Sequence, residues 1–126
     1  MLRDRPAFVR CAVVYYGSMD LQPARTLIPA SVPDDELRAF SPIAYLAAEP
    51  DRVPPLYIAR AGLDHPGLDS ALDRFVQEAL ARNLAIILVN HPQGQHAFDI
   101  VDDGPRSREI IRVTLEFMRT HLASGA

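Results

Sequence analysis

The run Leu84–Val89, read L-A-I-I-L-V, constrains the fold of this chain more than any other stretch. It is rich in Ile and Val and too short for a lone helix, so it predicts a strand buried on both faces. Such a strand needs a sheet with helices packed on each side. The run stops at Asn90, Pro92 and Gly94, which break it into a polar loop carrying His91 and His96 before apolar sequence resumes at Ala97 and Phe98. His96 is thereby placed past the carboxyl end of a buried strand, the edge at which open α/β sheets hold ligands and reacting groups.

The remainder of the chain supplies the partners that such a strand requires. Phe8–Tyr16 (F-V-R-C-A-V-V-Y-Y) predicts a first buried strand, interrupted only by Arg10 and closed by Gly17-Ser18. Met19–Asp35 holds Pro23, Pro29 and Pro33 without a clear period and predicts a long surface excursion. Ser41-Pro42 has the form of an N-cap followed by proline in the first helical position, opening a short helix through Ile43, Leu46 and Ala47. Leu56–Ala61 then predicts a second short strand that breaks at Gly62, and the loop after it sets Asp64 just beyond the carboxyl end. Leu68, Leu72, Phe75, Val76, Ala79 and Leu80 recur at helical spacing and specify an amphipathic helix ending near Asn83. After the turn at Asp102–Pro105, a last helix from about Ser107 is expected to bury Ile110, Ile111, Thr114, Leu115, Phe117, Met118 and Leu122. Strands and helices alternate, which means a three-layer α/β domain with a short parallel sheet of about three strands.

Composition narrows the function classes. A chain of 126 residues, 48% hydrophobic and 23% charged, suits one domain over residues 1–126. With a net charge of -3 and arginines scattered singly, there is no basic stripe for phosphate backbones, so a nucleic-acid partner is not expected. No apolar run approaches the roughly 20 residues of a membrane span, and the amino-terminal stretch lacks an apolar signal core. A single cysteine, Cys11, rules out an internal disulfide, and a cytoplasmic location is the expectation.

Two strand ends therefore carry chemistry, an acid first in sequence and a histidine later. The stretches SPIAYL, PPLYIARAGLDHPGLDSALDRFVQEAL and LVNHPQGQHAFDI resemble the C-terminal half of an α/β-hydrolase of the dienelactone-hydrolase-like branch. That resemblance covers most of the chain from Phe8 onward. It implies that Asp64 is the acid and His96 the base of a catalytic triad, in the chain order acid then histidine. It also implies a small ester or lactone as substrate and no cofactor. An imidazole, with an ordinary pKa of about 6.5, can accept a nucleophile's proton, and a buried carboxylate fixes its tautomer and stabilises the imidazolium.

The departure from the family is equally specific. No G-x-S-x-G, nor a cysteine version of it, occurs in these residues, so the nucleophile and its adjoining oxyanion donor are absent from the sequence. The expectation is a natural truncation or an internal start, inactive alone. Two classes follow: a hydrolase completed by a nucleophile-bearing partner chain, or a non-catalytic α/β module that self-associates or binds a partner through its open sheet edge.

Each candidate also has a plainer reading. His96 also suits an ordinary loop histidine. Asp64 suits a turn before the helix that starts near Asp69, with Asp69 the alternative triad acid. Ser18 lies at the end of the first strand, but its G-S-M-D context lacks the tight elbow a nucleophile needs. Cys11, among Val and Ala, reads as an inert core thiol. His65, His91, His96, Asp64 and Asp99 lack the close ligand spacings of a metal site, so no metal is expected. His121 reads as a helix-surface residue near the dipole's negative end.

Overall fold

The computed structural model describes residues 4, 6–46 and 50–123. Ala47, assigned above to a short helix, and most of the amino-terminal stretch read for a signal core lie outside them. Three strands, β1 (Ala12–Tyr15), β2 (Leu56–Ala61) and β3 (Ile86–His91), form one parallel sheet in the order β1-β2-β3. Among the described residues, four α-helices accompany them: α1 (Asp34–Phe40), α2 (Pro66–Ala81), α3 (Phe98–Val101) and α4 (Pro105–Ala123).

The central strand decides where the core sits. Strand side chains alternate between faces, and in β2 Leu56 and Ile58 pack with Leu72, Phe75, Val76 and Ala79 of α2. Tyr57, Ala59 and Ala61 point the other way and pack with Phe98, Ile110 and Phe117 of α3 and α4. This is a three-layer α/β arrangement. Pro55 and Gly62 bracket β2 because neither continues a ladder readily, and the strand has the bounds that its sequence predicts.

Several elements differ from the sequence expectations. β3 begins at Ile86 rather than Leu84 and runs through His91. It is an edge strand, and Ile87 and Leu88 are 44% and 45% exposed instead of buried on both faces. Among the described strands only β2 flanks it. β1 is four residues long, and Phe8, Val9, Arg10 and Cys11 lead into it as loop. The excursion Met19–Asp35 contains a 3-10 turn at Arg25–Leu27 and the start of α1. α1 carries three acids, Asp34, Asp35 and Glu36, in its first turn, which suits the positive end of the helix dipole.

Ser41 stands at the N-cap position with Pro42 after it, but its side chain caps nothing. Its hydroxyl donates to the Leu37 carbonyl and accepts from the Leu21 N–H, while Pro42–Tyr45 forms a single 3-10 turn. The helix after β2 opens at Pro66 and ends at Ala81, with Leu80 turned to solvent. α4 buries Ser107, Ile110, Thr114 and Phe117, whereas Leu115, Met118 and Leu122, expected in the core, are exposed. The buried stripe is narrower than the apolar pattern suggests, because α4 packs on the sheet with a single face. No described helix is long and apolar enough to cross a membrane.

Candidate functional site

Parallel strands finish at a common edge, so β1, β2 and β3 deliver their following loops to one place. After β2 the chain turns at Gly62, and after β3 it turns at Pro92. Backbone bonds stitch these two loops together: the Gly62 N–H donates to the His91 carbonyl at 2.9 Å, and the Leu63 N–H to the Gly94 carbonyl at 2.9 Å. Their approach leaves no room at Gly62. A Cβ there would lie 2.8 Å from the Pro92 oxygen and 2.9 Å from its Cα. Backbone atoms cannot swing aside. Gly62→Ala is expected to cost about 1 to 3 kcal/mol by overpacking and to loosen the two loops against each other. Thermal unfolding of the variant checks this.

The stitched loops bring Asp64 and His96 together. His96 Nδ1 lies 2.8 Å from Asp64 Oδ2, with the carboxylate side chain 5% exposed and the imidazole 55% exposed. The other carboxylate oxygen accepts the His65 backbone N–H at 2.7 Å. The acid is thus held from two sides inside the loop, while the imidazole faces outward with its Nε2 free of any described hydrogen bond. A histidine so held donates Nδ1–H to the acid and presents a basic Nε2.

The plainer readings fare differently. Asp64 does not cap α2; His65 does, accepting the Gly67 N–H on Nδ1 at 3.0 Å. Asp69 faces Arg60, at 3.3 Å, and burial raises its pKa despite that guanidinium. It is an ion-pair residue rather than a partner of His96. Ser18 Oγ is buried without a hydrogen-bond partner, so it is not presented to a substrate. Cys11 precedes β1, half-buried against the Phe98 side of the core. The His121 ring lies 4.5 Å from that of Phe117. Among the described residues, no three His, Cys, Asp or Glu side chains converge as a metal site would require.

His91 belongs to a different cluster. It ends β3, buried, and its Nε2 meets Ser107 Oγ at 3.1 Å and Asp102 Oδ2 at 3.3 Å. The Ser107 hydroxyl in turn donates to Asp102 at 2.6 Å. Serine, histidine and aspartate are all present, yet both partners share one ring nitrogen and Ser107 is fully buried. A triad places acid and nucleophile on opposite nitrogens, so this set is a clasp that ties the loop before α4 to β3. The Ser107 hydroxyl and the Gly104 N–H hold the Asp102 carboxyl below its ordinary range. With its folded pKa depressed, Asp102 contributes fully above its unfolded value of 3.8, and that contribution fades as pH falls through the folded value.

Sequence reading passed over Tyr16, although it also ends a strand at this edge. Its ring centroid lies 4.4 Å from that of His96, and its hydroxyl donates to Asp99 Oδ1 at 2.8 Å. Burial first, then the hydrogen bond to Asp99, pushes the Tyr16 phenol up to about 12. The available signal was positional: three parallel strand ends share one edge, and Tyr16 lies directly after β1.

Comparison with known proteins bears on the fold. No protein-family model matches the sequence, and neither does any curated protein. Among solved structures, a fungal esterase from Rhizomucor miehei matches with a TM-score of 0.64 at 17% identity, over 94% of this chain and 44% of the esterase. The chain shares the fold of part of that esterase, a parallel sheet with helices on both faces. It spans less than half of the esterase's length. At this identity the likeness carries architecture, and activity has to be argued from the site.

Proposed function

We propose that this chain supplies the acid and base of an α/β-hydrolase-type active site, acting on a small carboxylic ester or lactone in the manner of the dienelactone-hydrolase-like branch. The contact between Asp64 and His96 at the carboxyl edge of a parallel sheet carries this reading. In the reaction, Nε2 of His96 takes the proton of a nucleophile as it attacks the ester carbonyl, and Asp64 stabilises the imidazolium that forms. The same nitrogen then returns the proton to the departing alkoxide. A second cycle with water releases the acid. The nucleophile and oxyanion donors come from outside these 126 residues, which contain no G-x-S-x-G.

Mixing the chain with a separately expressed, nucleophile-bearing half of a related hydrolase tests the proposal. Hydrolysis of p-nitrophenyl acetate is expected to appear with the pair and to exceed the sum of the separate halves. A docked pair that stays inactive would count against it.

A second reading, a non-catalytic module that binds through its sheet edge, draws on β1. Ala12 and Tyr16 donate backbone bonds to Pro55 and Ala59, so by strand alternation Val13 and Tyr15 turn their N–H groups outward. No described strand pairs with that side. An unpaired edge beside exposed Phe8 and Val13 is a template for another chain. Light scattering is expected to show concentration-dependent association. A monomer at millimolar concentration would contradict that.

A further inference from the structure

We infer that Tyr16 is a positioning residue for His96, a ring wall tied by its hydroxyl to Asp99 that keeps the imidazole turned onto Asp64. The inference rests on the proposed acid–base role of that pair and adds a third strand end to it. His96 sits on an exposed loop with one side-chain hydrogen bond, to Asp64, and a single bond leaves the ring free to swing about it. Tyr16 closes that freedom. Its ring packs against the imidazole at 4.4 Å with the planes tilted by 56°, and its edge meets Phe98 at 5.9 Å. Phe98 is fully buried, so the wall stands on the core.

Two backbone features hold this geometry. Tyr16 has φ 39° and Ala97, directly after His96, has φ 65°. Both are left-handed conformations that non-glycine residues adopt only when their surroundings impose them. At Tyr16 the imposing contacts are the N–H bond to Ala59 and the hydroxyl bond to Asp99. Asp99 lies in α3, three residues beyond His96, so one tether joins the wall to the histidine's own loop. The hydroxyl is spent on Asp99. Tyr16 therefore does not donate to a substrate oxygen, and its action passes through the imidazole.

The ring nitrogens of His96 give a readout independent of turnover. In the 126-residue chain, a neutral imidazole held on Asp64 carries its proton on Nδ1, and two-bond ¹H–¹⁵N spectra distinguish that tautomer from the Nε2–H form. An aromatic contact of this type shifts a local equilibrium about two- to tenfold. Tyr16→Leu is expected to raise the Nε2–H population by that factor, and Asp99→Ala, which removes only the tether, by a smaller one. Tyr16→Phe keeps the wall and should resemble Asp99→Ala. Should Tyr16→Leu fail to fold, the Asp99→Ala and Tyr16→Phe spectra decide alone. Unchanged His96 signals in the folded variants, alongside a clear change in Asp64→Asn, would overturn the role of Tyr16 and leave the acid–base pair standing. No change in Asp64→Asn would overturn both.

Discussion

Asp64→Asn is expected to lower kcat of the completed hydrolase about 10⁴-fold, and His96→Ala by up to about 10⁶-fold. The asparagine keeps the shape of the loop but cannot stabilise an imidazolium, and its amide can hold the imidazole in the wrong tautomer. Replacing the histidine removes the base altogether. Because both residues lie at the mouth of the loops rather than in the core, KM and the unfolding midpoint should move far less than kcat. Steady-state kinetics on the docked halves separate these quantities. Equal losses in stability and activity would mean that the pair is structural.

The largest effect on stability is expected at Phe98. Its side chain is fully buried, stacks on Tyr15 with a centroid distance of 5.6 Å and meets the His91 ring edge-on at 5.0 Å. Truncation to alanine removes that packing and leaves a cavity between β1, the His91 clasp and α3. Phe98→Ala should therefore cost about 3 to 5 kcal/mol. Small domains have only about 5 to 15 kcal/mol in total, so the variant approaches the unfolding threshold. Urea denaturation followed by circular dichroism measures the shift. A loss under about 1 kcal/mol would show that the two site loops do not depend on this core face.

The parts of the architecture that were legible in the sequence share a physical basis. β2 is apolar except for Arg60 and is bounded by Pro55 and Gly62, residues that end a ladder for reasons local to themselves. The meeting of Asp64 and His96 follows from parallel topology, because two strand-end loops on one edge have few other places to go. What sequence could not show depended on neighbours. Leu84–Val89 looks like a central strand, but whether a strand is central or at an edge is set by what pairs beyond it, and among the described strands β3 pairs only with β2. The apolar residues Leu115, Met118 and Leu122 of α4 carry the same periodic signal as Ile110 and Phe117, although only the latter face the sheet. α1 went unread because Pro33 precedes it and its first turn is acidic, a pattern shared by loops and helix starts. Tyr16 was hidden for a different reason. Its partners, Asp99 and His96, are 83 and 80 positions away, and no local pattern announces a contact at that distance.

The most direct test of the account is the rate of p-nitrophenyl acetate hydrolysis by the isolated 126-residue chain, beside the same chain carrying His96→Ala. A triad stripped of its members retains only about 10³- to 10⁴-fold over water, and that residue of catalysis comes from binding and oxyanion donors. Here the G-x-S-x-G that would carry a nucleophile and its adjoining donor does not occur in the 126 residues. The account predicts that both chains hydrolyse the ester no faster than an equal concentration of free imidazole. Robust turnover by the isolated chain that survives His96→Ala would contradict it and place the chemistry in other residues.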